Sequence, residues 1–185
     1  MPDMTETPPT RFFVALMLPP EVEAYANETI GELHSQYRTR TAKAAPHITL
    51  QAPFLWDPSQ IDDLSQAIAA IAAQQSPVPV TLDGFDAFKP RVLYINVEKA
   101  PELLALQTSL AQHLQQLDIT DPKAKSRSFS PHVTVASRNL SPALFRRIWA
   151  DLQQRPVHFE FWGDRLTLLI YKDRWHIHSE YSLTG

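Results

Sequence analysis

Arg11 to Leu18 (RFFVALML) is an apolar run closed by Pro19 and Pro20, which predicts a mostly buried strand. A helix is expected next. Glu21 to Tyr37 places Val22, Tyr25, Ala26, Ile30 and Leu33 at mixed three- and four-residue spacing, and Pro20 sits where a first helical turn tolerates it. After Pro46, the segment His47 to Ala52 alternates, so a short strand should carry His47, Thr49 and Gln51 on one face and Ile48, Leu50 and Ala52 on the core side. Asp57-Pro58-Ser59 then opens a helix expected to run to about Gln75 on the stripe Ile61, Leu64, Ile68 and Ile71. Val78 to Phe85 returns as a strand.

The second half repeats the order. Arg91 to Val97 is a strand, Pro101 to Leu117 a helix on Leu103, Leu106, Leu110 and Leu114, and Pro131 to Ala136 another strand. Ser141-Pro142 begins a helix to about Gln153, and Val157–Trp162, Leu166–Lys172 and Trp175–Leu183 finish as strands, the last two joined tightly at Asp173-Arg174. The two Pro-His-aliphatic-Thr-aliphatic strands stand 85 residues apart, close to half of the chain, which reads as an internal duplication. The expected fold is therefore α+β, with two pseudo-symmetric lobes of antiparallel sheet and flanking helices around a central cleft. The lobes are expected at about residues 11–88 and 89–185, with residues 1–10 a flexible N-terminal tail.

Composition narrows the chemistry. There is no cysteine among the 185 residues, which excludes disulfide scaffolds, thiolate metal sites and a cysteine nucleophile and makes a reducing cytoplasm the expected location. No run is long and apolar enough to span a bilayer, and Met1 to Thr10 lacks the layout of a secretory signal, so no membrane association is expected. A net charge of −3 argues against broad binding to duplex DNA, so any recognition of phosphate must be local. Four glycines, with neither a G-x-G-x-x-G nor a G-x-x-x-x-G-K pattern, remove the glycine-rich nucleotide cradles.

Paired His-x-Thr strands have a specific use. Residues two apart on a strand point the same way, so His47 with Thr49 and His132 with Thr134 can converge on one small anion from opposite lobes. The hydroxyls donate to phosphoryl oxygens, and the two imidazoles serve as general base and general acid at opposite ends of an in-line displacement. With ordinary pKa values near ~6.5, the pair can hold one neutral and one protonated ring around neutrality. No metal or other cofactor is required. Thirteen threonines and seven histidines make a single chance His-x-Thr unremarkable. Two with the same preceding proline, in equivalent places of a repeat, are much harder to obtain by accident.

On these residues the chain resembles the 2H phosphoesterase superfamily, in the branch of 2′-5′ RNA ligases and RNA 2′,3′-cyclic phosphodiesterases. The similarity runs through Arg11–Leu16, Pro46–Leu50, Gly84-Phe85 with Pro90–Tyr94, and Phe129–Ala136. It implies an enzyme that opens 2′,3′-cyclic phosphates on RNA ends or nucleotides, with possible 2′-5′ ligation by the reverse step, with His132 as base and His47 as acid. One departure concerns the phosphate-side cation. Many bacterial relatives have His-x-Thr-Leu-Ala-Arg, whereas Val135-Ala136-Ser137 here displaces the basic residue to Arg138.

Arg11, Lys43, Arg91, Arg127 and Arg138 are candidate cations, with Arg127 and Arg138 favoured because they flank the second motif strand. Tyr94 and Phe13 are candidates to stack a base. The expected partners are RNA ends or cyclic nucleotides, with no stable protein partner. Two rival readings use the same residues differently. One is a non-catalytic module that binds an RNA end or nucleotide in the same cleft. The other is a metal site on the last strand, where His176, His178 and Glu180 are expected on one face. A simple wet strand face explains that alternation equally well.

Overall fold

The first strand, β1 (Thr10–Met17), begins inside the expected tail; Met1 to Thr7 lie outside the described residues, and the computed structural model describes residues 8–185. The rest of the chain runs α1 (Pro20–Tyr37), β2 (His47–Trp56), α2 (Ile61–Ala72), β3 (Val78–Phe88), β4 (Val92–Val97), α3 (Pro101–Gln115), β5 (His132–Ala136), α4 (Pro142–Leu152), β6 (His158–Gly163), β7 (Arg165–Tyr171) and β8 (Trp175–Ser182). Local chemistry sets the helix ends. Pro20 and Pro101 occupy first-turn positions where a missing N–H costs nothing, and Ser141 Oγ accepts from the Leu144 N–H at 3.2 Å to cap α4. Asp57 accepts from the Ser59 N–H and holds Pro58–Gln60 in a 3-10 turn, so α2 starts at Ile61, later than the sequence pattern suggests.

Two four-stranded sheets result, in the orders β2-β1-β7-β8 and β5-β4-β3-β6, with every pairing antiparallel. The architecture is the expected α+β one, but the sheets do not follow a division of the chain at 88/89. β3 leaves the first half to pair with β4, and β7 and β8 leave the second half to pair back onto β1. Hydrophobic alternation specifies that a segment is a strand and which face is buried. It does not specify the neighbour that satisfies its backbone groups.

One continuous core joins the inner stripes of all four helices to one face of both sheets, among them Phe12, Val14, Leu16, Leu64, Ile68, Leu93, Ile95, Leu106, Leu110 and Ile148. The other faces meet where β2 approaches β5. The duplication also shows in a shared irregularity. On β2, Thr49 pairs with Ala15 and Gln51 with Val14, so Leu50 is an extra residue; on β5, Thr134 pairs with Tyr94 and Ala136 with Leu93, so Val135 is the extra one. Each motif threonine is thus followed by a bulge, the device that re-aims side chains next to many active sites. The first bulge corrects one expectation: Gln51 turns to the core side with Val14 and is buried, away from His47 and Thr49.

Candidate active site

His47 and His132 are held alike. Nδ1 of His47 lies 2.7 Å from the Ala45 carbonyl oxygen, and Nδ1 of His132 lies 2.8 Å from that of Ser130. A carbonyl can only accept, so each Nδ1 carries the proton and donates it, which leaves Nε2 as the lone-pair nitrogen of the neutral ring. The acceptor is two residues upstream in both cases, across Pro46 and Pro131. Their fixed φ restricts the bend that brings carbonyl and ring together, which gives a physical role to the proline common to both motifs.

Aromatic rings brace the imidazoles from the sheet. Phe13 packs on His47 with centroids 4.8 Å apart and is itself met edge-on by Trp175 at 4.6 Å. Tyr94 and Phe88 each pack on His132 at 5.0 Å. Burial holds both imidazoles below the ordinary histidine range, because desolvation disfavours the charged ring, and the carbonyl bonds oppose this only in part. Charge adds to the lowering: His132 acts on His47, and the Arg127 guanidinium acts on His132. The two rings are close enough that a proton on one disfavours a proton on the other.

A pocket of about 210 Å³ is lined by His47, Thr49, His132 and Thr134 together. Its remaining wall comes mainly from the first motif's surroundings, namely Phe13, Ile30, Pro53 and Trp175 with Thr41, Ala42, Ala44, Ala45 and Pro46 of the segment between α1 and β2, and Ser137 closes the far side. That segment is pinned at both ends. Arg40 forms an isolated bridge with Arg138, with the Ser137 N–H donating to the Arg40 carbonyl at 2.8 Å, and the Trp175 N–H donates to the Lys43 carbonyl at 2.9 Å.

The other expected site residues fare differently. Phe13 lines the pocket, though it is buried and spends much of its surface on His47 and Trp175. Tyr94 is buried under His132 and does not line the pocket, so it offers no free face to a base. Arg127 is exposed on the turns before β5 and acts on His132 by charge. Arg138 is exposed beside Ser137 outside the lining, and Arg11 lies over the Tyr171 ring at 4.2 Å. Lys43 and Arg91 are exposed and line no part of this pocket.

The metal reading on β8 is overturned by register. Leu169 pairs with Ile177 and Leu168 with Ser179, so His178 is a bulge residue, and Glu180, opposite Thr167, lies on the opposite face from His176. His176 bonds the Asp173 carboxylate at 2.9 Å, His178 the Ser179 hydroxyl at 3.0 Å, and Glu180 faces Arg165 at 3.7 Å. No group of three or more metal-type ligands forms among the described residues.

Trp175, Thr41 and Ser137 enter the pocket without any signal of their own in the sequence. Trp175 arrives only because β8 pairs with β7 and β7 with β1, an arrangement the linear pattern does not encode.

The fold and the paired His-x-Thr strands define a protein of the 2H phosphoesterase class. Residues 18–175 match the family described as the 2'-5' RNA ligase superfamily, and the chain belongs to it. A Bacillus cytotoxicus relative is 30% identical over 155 residues, spanning 82% of this chain and 86% of the relative. Another, from Geobacillus kaustophilus, is 27% identical over 179 residues, spanning 95% and 97%; both carry the name "Putative phosphoesterase". The fold is shared with E. coli LigT in its crystal structure with 3'-AMP, at a TM-score of 0.70 and 22% identity over 96% of this chain and 99% of that one. TT0787 of Thermus thermophilus superposes as well, at 0.70 and 22% over 95% and 98%.

Proposed function

We propose that the chain hydrolyses 2′,3′-cyclic phosphates on RNA ends or nucleotides with His132 as general base and His47 as general acid. The observation that carries this reading is the shared pocket into which two oppositely placed His-x-Thr pairs converge, each histidine with Nδ1 committed to a backbone carbonyl and Nε2 free for proton transfer. Nε2 of neutral His132 takes a proton from water as its oxygen attacks phosphorus; one phosphorus–ribose oxygen bond breaks, and Nε2–H of protonated His47 passes its proton to the departing oxygen. The product is a phosphomonoester. Thr49 and Thr134 donate to the phosphoryl oxygens, where negative charge grows in the transition state. If the 5′-hydroxyl of a second RNA replaces water and the 3′ oxygen departs, the same proton transfers yield a 2′–5′ bond.

Two features support this division of labour. Arg127 favours the neutral, basic form of His132, and protonation of a single ring is the preferred way for two neighbouring imidazoles to hold charge. The 3'-AMP in the related LigT structure supports a nucleotide as the ligand. Hydrolysis of a nucleoside 2′,3′-cyclic phosphate in the presence of chelator tests the proposal, with product identification by chromatography. Turnover is expected. Binding without turnover would favour a module that only holds RNA ends, and turnover abolished by chelator and restored by a divalent ion would place the chemistry on a metal.

A further inference from the structure

Although the two motif strands are built alike, the space around them is not shared equally. Thr49 has Ala15 beside it on β1, whereas Thr134 has Tyr94 beside it on β4, and Tyr94 with Phe88 fills the volume next to His132. The pocket consequently opens toward β1, β8 and the 41–46 segment, with only His132, Thr134 and Ser137 contributed from the other side. Beside it, along Trp175, lies a second, more open groove of about 740 Å³. Ala42, Ala44, Ala45 and Trp175 line both cavities, so the two adjoin.

The second groove has the chemistry of a binding track. Lys43 and Arg174, both exposed, line it, and two cations outweigh the single carboxylate there, Asp173, which is bonded to His176. Its floor includes Trp175 and the 53% exposed Ile177, one of the few large apolar side chains left open to solvent. The cleft face of the other sheet has the opposite sign. Asp86 lies on the same face as Tyr94 and Thr134, and Asp83 and Glu160 flank His158 farther out. A polyanion leaving the pocket meets these carboxylates along that face, with Arg127 at its edge, and the Lys43 and Arg174 cations on this one.

The geometry points to a second subsite in this groove, where Lys43 and Arg174 take the phosphodiester next to the reacting phosphate and Trp175 and Ile177 take the adjoining base, so that the preferred substrate is a short single-stranded oligoribonucleotide. This rests on the cyclic phosphodiesterase reading and adds a length requirement to it. Each phosphate held on a single strand contributes about 0.7 to the slope of log affinity against log salt, and a stacked base contributes on the order of a tenfold gain in affinity.

The test compares kcat/KM for a nucleoside 2′,3′-cyclic phosphate with that for a short oligoribonucleotide ending in the same group. The comparison is made in the unaltered protein, in the double variant Lys43→Ala/Arg174→Ala, and in Arg40→Ala/Arg138→Ala, an exposed pair outside both cavities. The unaltered protein is expected to favour the oligonucleotide by about tenfold or more. Lys43→Ala/Arg174→Ala should bring that ratio close to one and flatten its salt dependence, while Arg40→Ala/Arg138→Ala keeps both. A ratio near one in the unaltered protein, or a preference lost only in the Arg40/Arg138 variant, overturns the subsite. If no cyclic phosphate is turned over, the proposed activity itself fails. Fluorescence anisotropy with a labelled oligoribonucleotide 3′-phosphate then decides the groove: binding about tenfold weaker in Lys43→Ala/Arg174→Ala supports it, and equal binding sinks it.

Discussion

The surroundings of His47 and His132 repeat one backbone design with two different sets of side chains. In each, a proline precedes the histidine, Nδ1 donates to a carbonyl two residues back, and a bulge follows the threonine. The residues facing the motif from the neighbouring strand differ: Ala15 and Met17 beside β2, Tyr94 and Asn96 beside β5. Duplicated backbone thus places the two imidazoles alike, as the proposed acid–base pair requires, and the unduplicated side chains determine on which side of it there is room.

The largest expected effect tests the symmetric part. His47→Ala and His132→Ala should each lower turnover of a cyclic phosphate by roughly a hundredfold or more, and the double variant should be little worse than either alone, because acid and base act as a unit. Steady-state kinetics with circular dichroism to verify folding checks this, and near-normal rates in both single variants would remove the assignment. The asymmetric part is tested next by Ala15→Tyr, which places beside Thr49 the residue found beside Thr134. Since Ala15 is fully buried, overpacking should destabilise the protein by about 1–3 kcal/mol. If the protein still folds, kcat/KM should fall about tenfold or more through closure of the near-attack space, whereas Tyr94→Phe should leave it nearly unchanged. Equal losses in the two variants would mean that the pocket does not favour the first side.

Thr49→Ala and Thr134→Ala should be milder, on the order of tenfold each in kcat, since each removes one neutral donor to the phosphoryl oxygens. A loss confined to KM would assign the hydroxyls to binding alone. The pH dependence comes next. Both imidazoles are lowered from the ordinary ~6.5, so the singly protonated free protein is most populated below that value and kcat/KM should trace a bell with its maximum on the acid side of ~6.5. The same shift makes the unfolded chain the better proton acceptor. The stability these two groups confer is therefore fully present above ~6.5 and is lost as pH falls below it, which denaturant midpoints measured across that range should show. A bell centred well above ~6.5 would contradict the desolvation argument. The smallest effect belongs to Arg127→Ala: removal of a charge that lowers His132, the general base, should move the acidic limb of the bell upward by a fraction of a pH unit. A downward shift would reverse the assigned role of Arg127.

By itself the sequence determined the strands and helices, the pairing of two His-x-Thr motifs in a repeat, and the four side chains that meet in the pocket. These are local properties: apolar spacing reports which face is buried, and residues two apart on a strand share a face. Expectations failed where local pattern was extended across an irregularity. The bulge after Thr49 sent Gln51 to the core, and the bulge at His178 separated Glu180 from His176. Only the tertiary structure decided that β3 pairs with β4 and that β7 and β8 return to β1, because backbone hydrogen bonding is nearly indifferent to the identity of a partner strand and the choice falls to packing over the whole chain. That long-range pairing brings Trp175 to the pocket and Arg174 to the adjoining groove, and it buries Tyr94 beneath His132.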